Sequence, residues 1–259
     1  MGLISRVDLV AALVDDIGLG PYEQSYRRRP LPSSGAIIGW APRLKAYFWP
    51  RPEYDYAKSV SLLAPIVEVA GVIARALRPW DDATQIRALA FAHGVFAWGG
   101  VPQRNVTAEQ VDCVIQTALG QGDDLRAPMN SGWTKIAAIA TSHLEAEGRS
   151  QAIWDSRVAW CVVRRLDAIL TSWGQQQVPA CLPHIGRVPG RGGTRWSTQL
   201  RLKWPNAYMR WDAHFEASDL IREVRDELNR RGLVAPLPDG SEGPWTVRQV
   251  EMVLFMDGY

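Results

Sequence analysis

PMNSGWTKIAAIATSHLEAEGRSQAIWDSRVAWCVVRRL, residues 128–166, holds two helical patterns joined by a polar connection. Met129 to Thr134 has the composition of a short hairpin. An apolar helix follows from about Lys135. Asp155 stands where a helix N-cap stands, its carboxylate just ahead of the apolar run Val158, Trp160, Cys161 and Val162. Lys135 can serve as an amine nucleophile or as a cation. The pairing of a hairpin lysine with a capping aspartate twenty positions later is the feature around which the rest of the chain is read.

Outward from this stretch the pattern is helical. Apolar residues recur at helical spacing over 3–17, with Gly18 and Gly20 as the stop. Helices are expected over 58–78, with Pro65 inside or near its first turn, and over 83–98, capped by Asp82 or Thr84. Thr107 and Gln110 form a capping box for a third, and the helix opened by Asp155 runs to about Ser172. A charged amphipathic helix covers 213–232 and a short one 246–256. Two irregular segments interrupt the series. Residues 19–57 carry prolines 30, 32, 42, 50 and 52, which argue against regular helix there. Residues 173–211 contain no Asp or Glu but hold Arg187, Arg191, Arg195, Arg201, Lys203 and Arg210, with four tryptophans among them. Residues 197–204 alternate as a short strand would.

Composition narrows the classes. A chain of 259 residues with 47% hydrophobic and 22% charged residues can bury a large core. The net charge of +2 means that a nucleic-acid surface has to come from local clustering. No apolar run is long enough for a transmembrane helix, and the N-terminal helix, interrupted by Asp8, Asp15 and Asp16, is not a signal peptide. Three scattered cysteines fit a reducing cytoplasm and exclude a four-cysteine cluster, and no histidine pair has metal-ligand spacing. The expectation is a cytoplasmic, nucleoid-associated monomer with no cofactor and no metal.

The sequence Met129-Asn130-Ser131-Gly132-Trp133-Thr134-Lys135-Ile136-Ala137, followed by Ile153-Trp154-Asp155-Ser156, resembles the active-site region of the helix-hairpin-helix DNA glycosylases, most of all the 8-oxoguanine DNA glycosylase branch. The likeness covers roughly residues 58–172. It departs from the family pattern where Ser131 and Trp133 replace the two hairpin glycines. The resemblance implies a mostly α fold of two helical subdomains flanking a cleft, with long irregular insertions. In this scheme 1–57 wraps the body, 58–172 is the helical core, and 173–259 packs on it. It implies that Lys135 attacks C1′ of an extruded nucleotide and that Asp155 stabilises the sugar cation. Gly132 and Thr134 would hold DNA phosphate.

Physical chemistry supports such roles independently of the family. Breaking an N-glycosidic bond puts positive charge on the sugar, and a fixed carboxylate stabilises it. A lysine becomes a nucleophile when burial or a second cation, here Arg157, favours its neutral form. The loop GGVPQRN (99–105) could fill the gap left by a flipped base with Gln103, Arg104 and Asn105. Arg157, Arg191 and Arg195 fit contact with DNA backbone. Ile139, Glu251 and Phe255 are candidate walls of a base pocket. The expected partner is double-stranded DNA carrying oxidised guanine or a hypermodified phage base. Two other classes stay open: a non-catalytic DNA-binding protein on the same fold, and a helical scaffold. In those, Lys135 is a solvated first-turn lysine and Asp155 an ordinary cap.

Overall fold

A computed structural model describes residues 4–26, 29–31, 35–190 and 200–258. The protein is mostly helical. The helices are α1 (Arg6–Leu19), α2 (Trp40–Lys45), α3 (Tyr56–Arg75), α4 (Asp82–Trp98), α5 (Ala108–Ala118), α6 (Trp133–Ala140), α7 (Ser156–Ser172), α8 (Trp211–Arg230) and α9 (Val247–Asp257), with a 3-10 turn at Ser142–Glu147. Among the described residues, sheet is confined to two antiparallel two-residue pairings, Ser25–Tyr26 with Arg29–Pro30 and Ala235–Pro236 with Glu242–Gly243, and two single bridges, Tyr22 with Ile37 and Arg187 with Asn206.

Caps place most boundaries. Thr107 and Gln110 form the reciprocal box at α5, and Thr246 and Gln249 repeat it at α9. At α4 the cap is Asp81, one residue before the expected candidates, its carboxylate accepting from the Thr84 N–H. Helix α2 lies inside 19–57, where the prolines argued against helix. Pro42 sits in its first turn, where no intrahelical N–H is required, so the proline costs nothing there. Residues 200–204 do not form a strand; this part of the segment is irregular, and 197–199 lie outside the described residues. Helix α3 is long and apolar enough, by length and composition alone, to cross a membrane, contrary to expectation. Its Leu63, Ala70, Ile73 and Ala74 are nonetheless packed in the protein interior.

The described residues bury two hydrophobic cores. One is built by α1, α2, α7, α8 and α9, with Leu13, Leu44, Leu166, Leu220 and Val253 at its centre. The other is built by α3 to α6, with Ile73, Phe96, Ile115 and Ile136, and takes Trp211 from the start of α8. Residues 58–172 are therefore not one core. Helix α7 packs with the chain's two ends, and the division falls in the connection between α6 and α7. Helical periodicity shows which face of α7 is buried but not against what.

The buried carboxylate of Asp167 anchors the later part of the segment 173–211. Asp167 accepts from the Arg201 and Leu202 N–H groups and from Trp204 Nε1, each at 2.9 Å. Trp211 Nε1 donates to Ala127 O at 3.0 Å. Two of its tryptophans are thus interior pillars, while Trp173 is 41% exposed.

Candidate active site

The turn leading into helix α6 is held by Asn130. Asn130 Oδ1 accepts from the Gly132 and Trp133 N–H groups at 2.8 and 3.2 Å, and Asn130 O accepts from the Thr134 N–H. Lys135 follows in the first turn. Only 4% of it is exposed, and its stem lies against Gly99 at the end of α4. Its Nζ donates to Ser131 O and to Asp155 Oδ2, both at 2.9 Å. Asp155 caps α7 with its other oxygen, accepting from the Arg157 and Val158 N–H groups. Burial pushes the Asp155 carboxyl upward. The Lys135 ammonium, Arg157 and the cap hydrogen bonds outweigh burial, so the group lies below the usual carboxylate range and is ionised.

The backbone leading into Asp155 is held by side chains. Residues 151–154 belong to no sheet, yet each N–H in turn has a partner. Gln151 donates to Thr141 Oγ1, Ala152 to Ser218 Oγ, Ile153 to Glu251 Oε2 and Trp154 to Thr134 Oγ1, all within 2.8–3.0 Å. An extended buried segment must satisfy these donors somewhere. Here the acceptors come from the end of α6, from α8, from α9 and from the start of α6. The position of Asp155 relative to Lys135 is therefore set by three helices rather than by the local chain.

Lys135 and Asp155 open into a cavity of about 440 Å³. Its walls come from distant parts of the sequence: Trp49 from 19–57, Gly99 to Gln103 from the loop after α4, Asn130 and Ser131, Ser156 and Arg157, Pro189, Gly190 and Tyr208 from 173–211, and Phe255 from α9. Trp49 meets Phe255 edge to face at 5.2 Å and anchors its indole N–H on Trp98 O at 2.6 Å. The Arg157 guanidinium lies 5.4 Å from the Trp49 ring and 4.7 Å from the Phe255 ring. An aromatic and cationic wall beside a buried lysine–carboxylate pair suits a flat, electron-rich ligand.

The expected site residues divide. Lys135, Asp155, Arg157, Gln103 and Phe255 meet around one cavity. Gln103 is held there by Asn130 Nδ2 at 3.3 Å. Gly100, at positive φ, reverses the chain after α4 in a Schellman closure, so that the loop starts at the cavity wall. Arg104 and Asn105 are exposed on the same loop but do not line the cavity. Gly132 and Thr134 are corrected as phosphate ligands. Both are buried; the Gly132 N–H is taken by Asn130, and the Thr134 hydroxyl by Trp154 and His214. Ile139, one turn beyond Lys135, packs in the α3–α6 core rather than in the cavity. Glu251 does not line it either, because its carboxylate is engaged by the Ile153 N–H and by Arg248. Arg191 and Arg195 lie outside the described residues. The cavity residues missed in the sequence, Trp49, Ser156, Pro189, Gly190 and Tyr208 among them, carry no local signal beyond the aromatic and proline content of their segments.

Behind the site, His214 Nδ1 lies 2.9 Å from Thr134 Oγ1, and burial pushes its pKa down to about 3. The folded protein keeps this ring neutral, whereas the unfolded chain protonates it below about 6.5. Stability is therefore full above the unfolded value and is lost as the pH falls below it. Unfolding in denaturant at pH 7.5 and at pH 5 is expected to differ by about 2 kcal/mol from this residue. The His214→Asn protein is expected to show a flatter pH profile; an unchanged profile would contradict the neutral buried ring.

Neither protein-family models, curated proteins nor solved structures contain a match to this chain.

Proposed function

We propose that this protein is a DNA glycosylase of the helix-hairpin-helix kind, acting as a monomer on double-stranded DNA. One observation carries the reading: Lys135 Nζ and Asp155 Oδ2 pair at 2.9 Å, both buried, on the wall of a cavity large enough for a flipped nucleotide. A buried ion pair contributes little net stability, because desolvation offsets its attraction. Its place at a cavity wall rather than inside a core is better explained by chemistry. In this reading the cavity is the cleft between the two helical bodies, and the turn 129–134 stands for the hairpin. Beside the departure from glycine at Ser131 and Trp133, Asn130 takes the Gly132 and Trp133 N–H groups, which are then not offered to phosphate.

The extruded base stacks on the Trp49 and Phe255 wall. As the C1′–N bond breaks, its electrons leave with the base, and the Asp155 carboxylate faces the positive sugar. Lys135 gives a proton to the departing base and its freed amine forms the new bond to C1′. With water as nucleophile instead, its oxygen bonds to C1′ and its proton passes to the departing base, the lysine only balances Asp155, and the products are the free base and an intact abasic site.

The substrate is a modified base, either oxidised guanine or a hypermodified base of phage DNA. Release of free base from both kinds of DNA, assayed side by side, tests this directly. Release from one and not the other assigns a repair or an antiviral role. Tight binding to duplexes with no release from either would support the non-catalytic binder.

Gly99 supplies a sharper test of geometry. A Cβ built there would lie 2.6 and 2.9 Å from Lys135 Cδ and Cε, so the lysine must move. Displacement of a reacting group by about 1 Å costs about 100-fold. Gly99→Ala is expected to lose most base release while keeping the melting temperature within a few degrees. Full activity in this variant would argue against the lysine's present position being the working one.

A further inference from the structure

His214 is a buried polar group that the chemistry above does not use. It sits on α8 and is 1% exposed. Thr134 Oγ1 accepts the Trp154 N–H, and among the described residues the hydroxyl's own proton has no acceptor other than His214 Nδ1, which assigns the donation to Thr134. That leaves the neutral ring's proton on Nε2. Among the described residues, Nε2 has no hydrogen-bond partner. A buried donor without an acceptor is uncommon and costly. His214 also lines a second, small cavity of about 10 Å³, space for about one water-sized group. This cavity shares Asn130, Ser131 and Tyr208 with the cavity of Lys135 and Asp155.

We propose that His214 is a specificity-determining residue whose Nε2–H donates to a single acceptor oxygen of the extruded base, entering past Asn130, Ser131 and Tyr208. The inference deepens the glycosylase reading and rests on it for the nature of the ligand. The size of the space limits what is read to one oxygen, directly or through one water. Because the ring is neutral and Nδ1 is occupied by Thr134, the position presents a donor only. A base offering an N–H there would leave two donors facing each other, which is how such a site discriminates.

Two substitutions separate this role from a structural one. His214→Asn keeps an oxygen acceptor near Nδ1 for Thr134 and removes the donor at Nε2. His214→Gln restores an amide N–H near Nε2 and gives up the bond to Thr134. The probes are a duplex with one 8-oxoguanine and a duplex with one 5-hydroxymethylcytosine, each compared with the same duplex carrying a tetrahydrofuran abasic analogue. Affinities by fluorescence anisotropy and base release are measured for the full chain and both variants. For at least one probe, His214→Asn is expected to lower the affinity ratio of base-bearing to tetrahydrofuran duplex by about tenfold. Affinity for the tetrahydrofuran duplex should not change, and His214→Gln should recover most of the ratio. An unchanged ratio for both probes, or an equal loss on base-bearing and tetrahydrofuran duplexes, overturns the proposal. If the wild type releases no base but the ratio falls in His214→Asn, the glycosylase chemistry fails and the recognition role stands. If base is released and the ratio is unmoved, the reverse holds.

Discussion

Asp155→Asn is expected to lower base release by about 10²–10³-fold, the usual cost of removing one preorganised electrostatic group from a reacting centre. The substitution is informative because it spares local structure. Asparagine caps a helix about as well as aspartate, so its oxygen can still accept from the Arg157 and Val158 N–H groups. Lys135 is affected differently. It keeps Ser131 O but loses its only ion-pair partner among the described residues while remaining buried. Breaking a buried pair from one side costs about 3–5 kcal/mol, which denaturant unfolding at neutral pH measures. The acid dependence follows from the same bond. The folded carboxyl lies below its unfolded value, so its contribution is complete above about pH 4 and is lost as the pH falls through the folded pKa. The variant should lack that part of the acid transition. Release unchanged within about threefold would mean that Asp155 is only a cap.

Lys135→Ala is expected to abolish a covalent adduct that wild type forms with abasic-site DNA in the presence of borohydride. The reasoning is stoichiometric: the trap captures an imine between the sugar C1′ and an amine, and Lys135 is the one lysine on the cavity wall among the described residues. Persistence of the adduct in the variant would locate the nucleophile elsewhere. Absence in wild type as well would assign the attack to water and leave Lys135 as a counter-ion. Lys135→Met, which retains most of the stem's volume, is expected to destabilise less than Asp155→Asn. The carboxylate it leaves behind still accepts two backbone N–H bonds at the α7 N-terminus, where the helix dipole favours negative charge. Unfolding curves of the two variants decide this.

What was legible in the sequence was local. The cap at Asp155, the box at Thr107 and Gln110, and the helical periods each depend on residues within one or two turns, so spacing alone reveals them. The pairing of Lys135 with Asp155 was legible only through a resemblance. In the structure they meet at 2.9 Å. The errors share a cause. Gly132, Thr134 and Ile139 were assigned by position in the motif or about one helical turn beyond it, and Glu251 by its place on the last helix beside Phe255; each is buried in an interior contact instead. Trp49 and Tyr208 went unassigned because nothing in the sequence brings positions 49, 208 and 135 together.

The sequence by itself determined a mostly helical chain, the principal helices to within two or three residues at their ends, and a lysine and an aspartate each set at the head of one of them. Tertiary structure alone decided that α6 and α7 belong to different cores and that the two residues meet in a buried pair on the wall of one cavity. The physical reason lies in residues 151–154. Their four N–H groups are satisfied by Thr141, Ser218, Glu251 and Thr134, side chains up to 98 positions away. Hydrogen bonds of that range depend on how helices pack, and packing is not written in any local period.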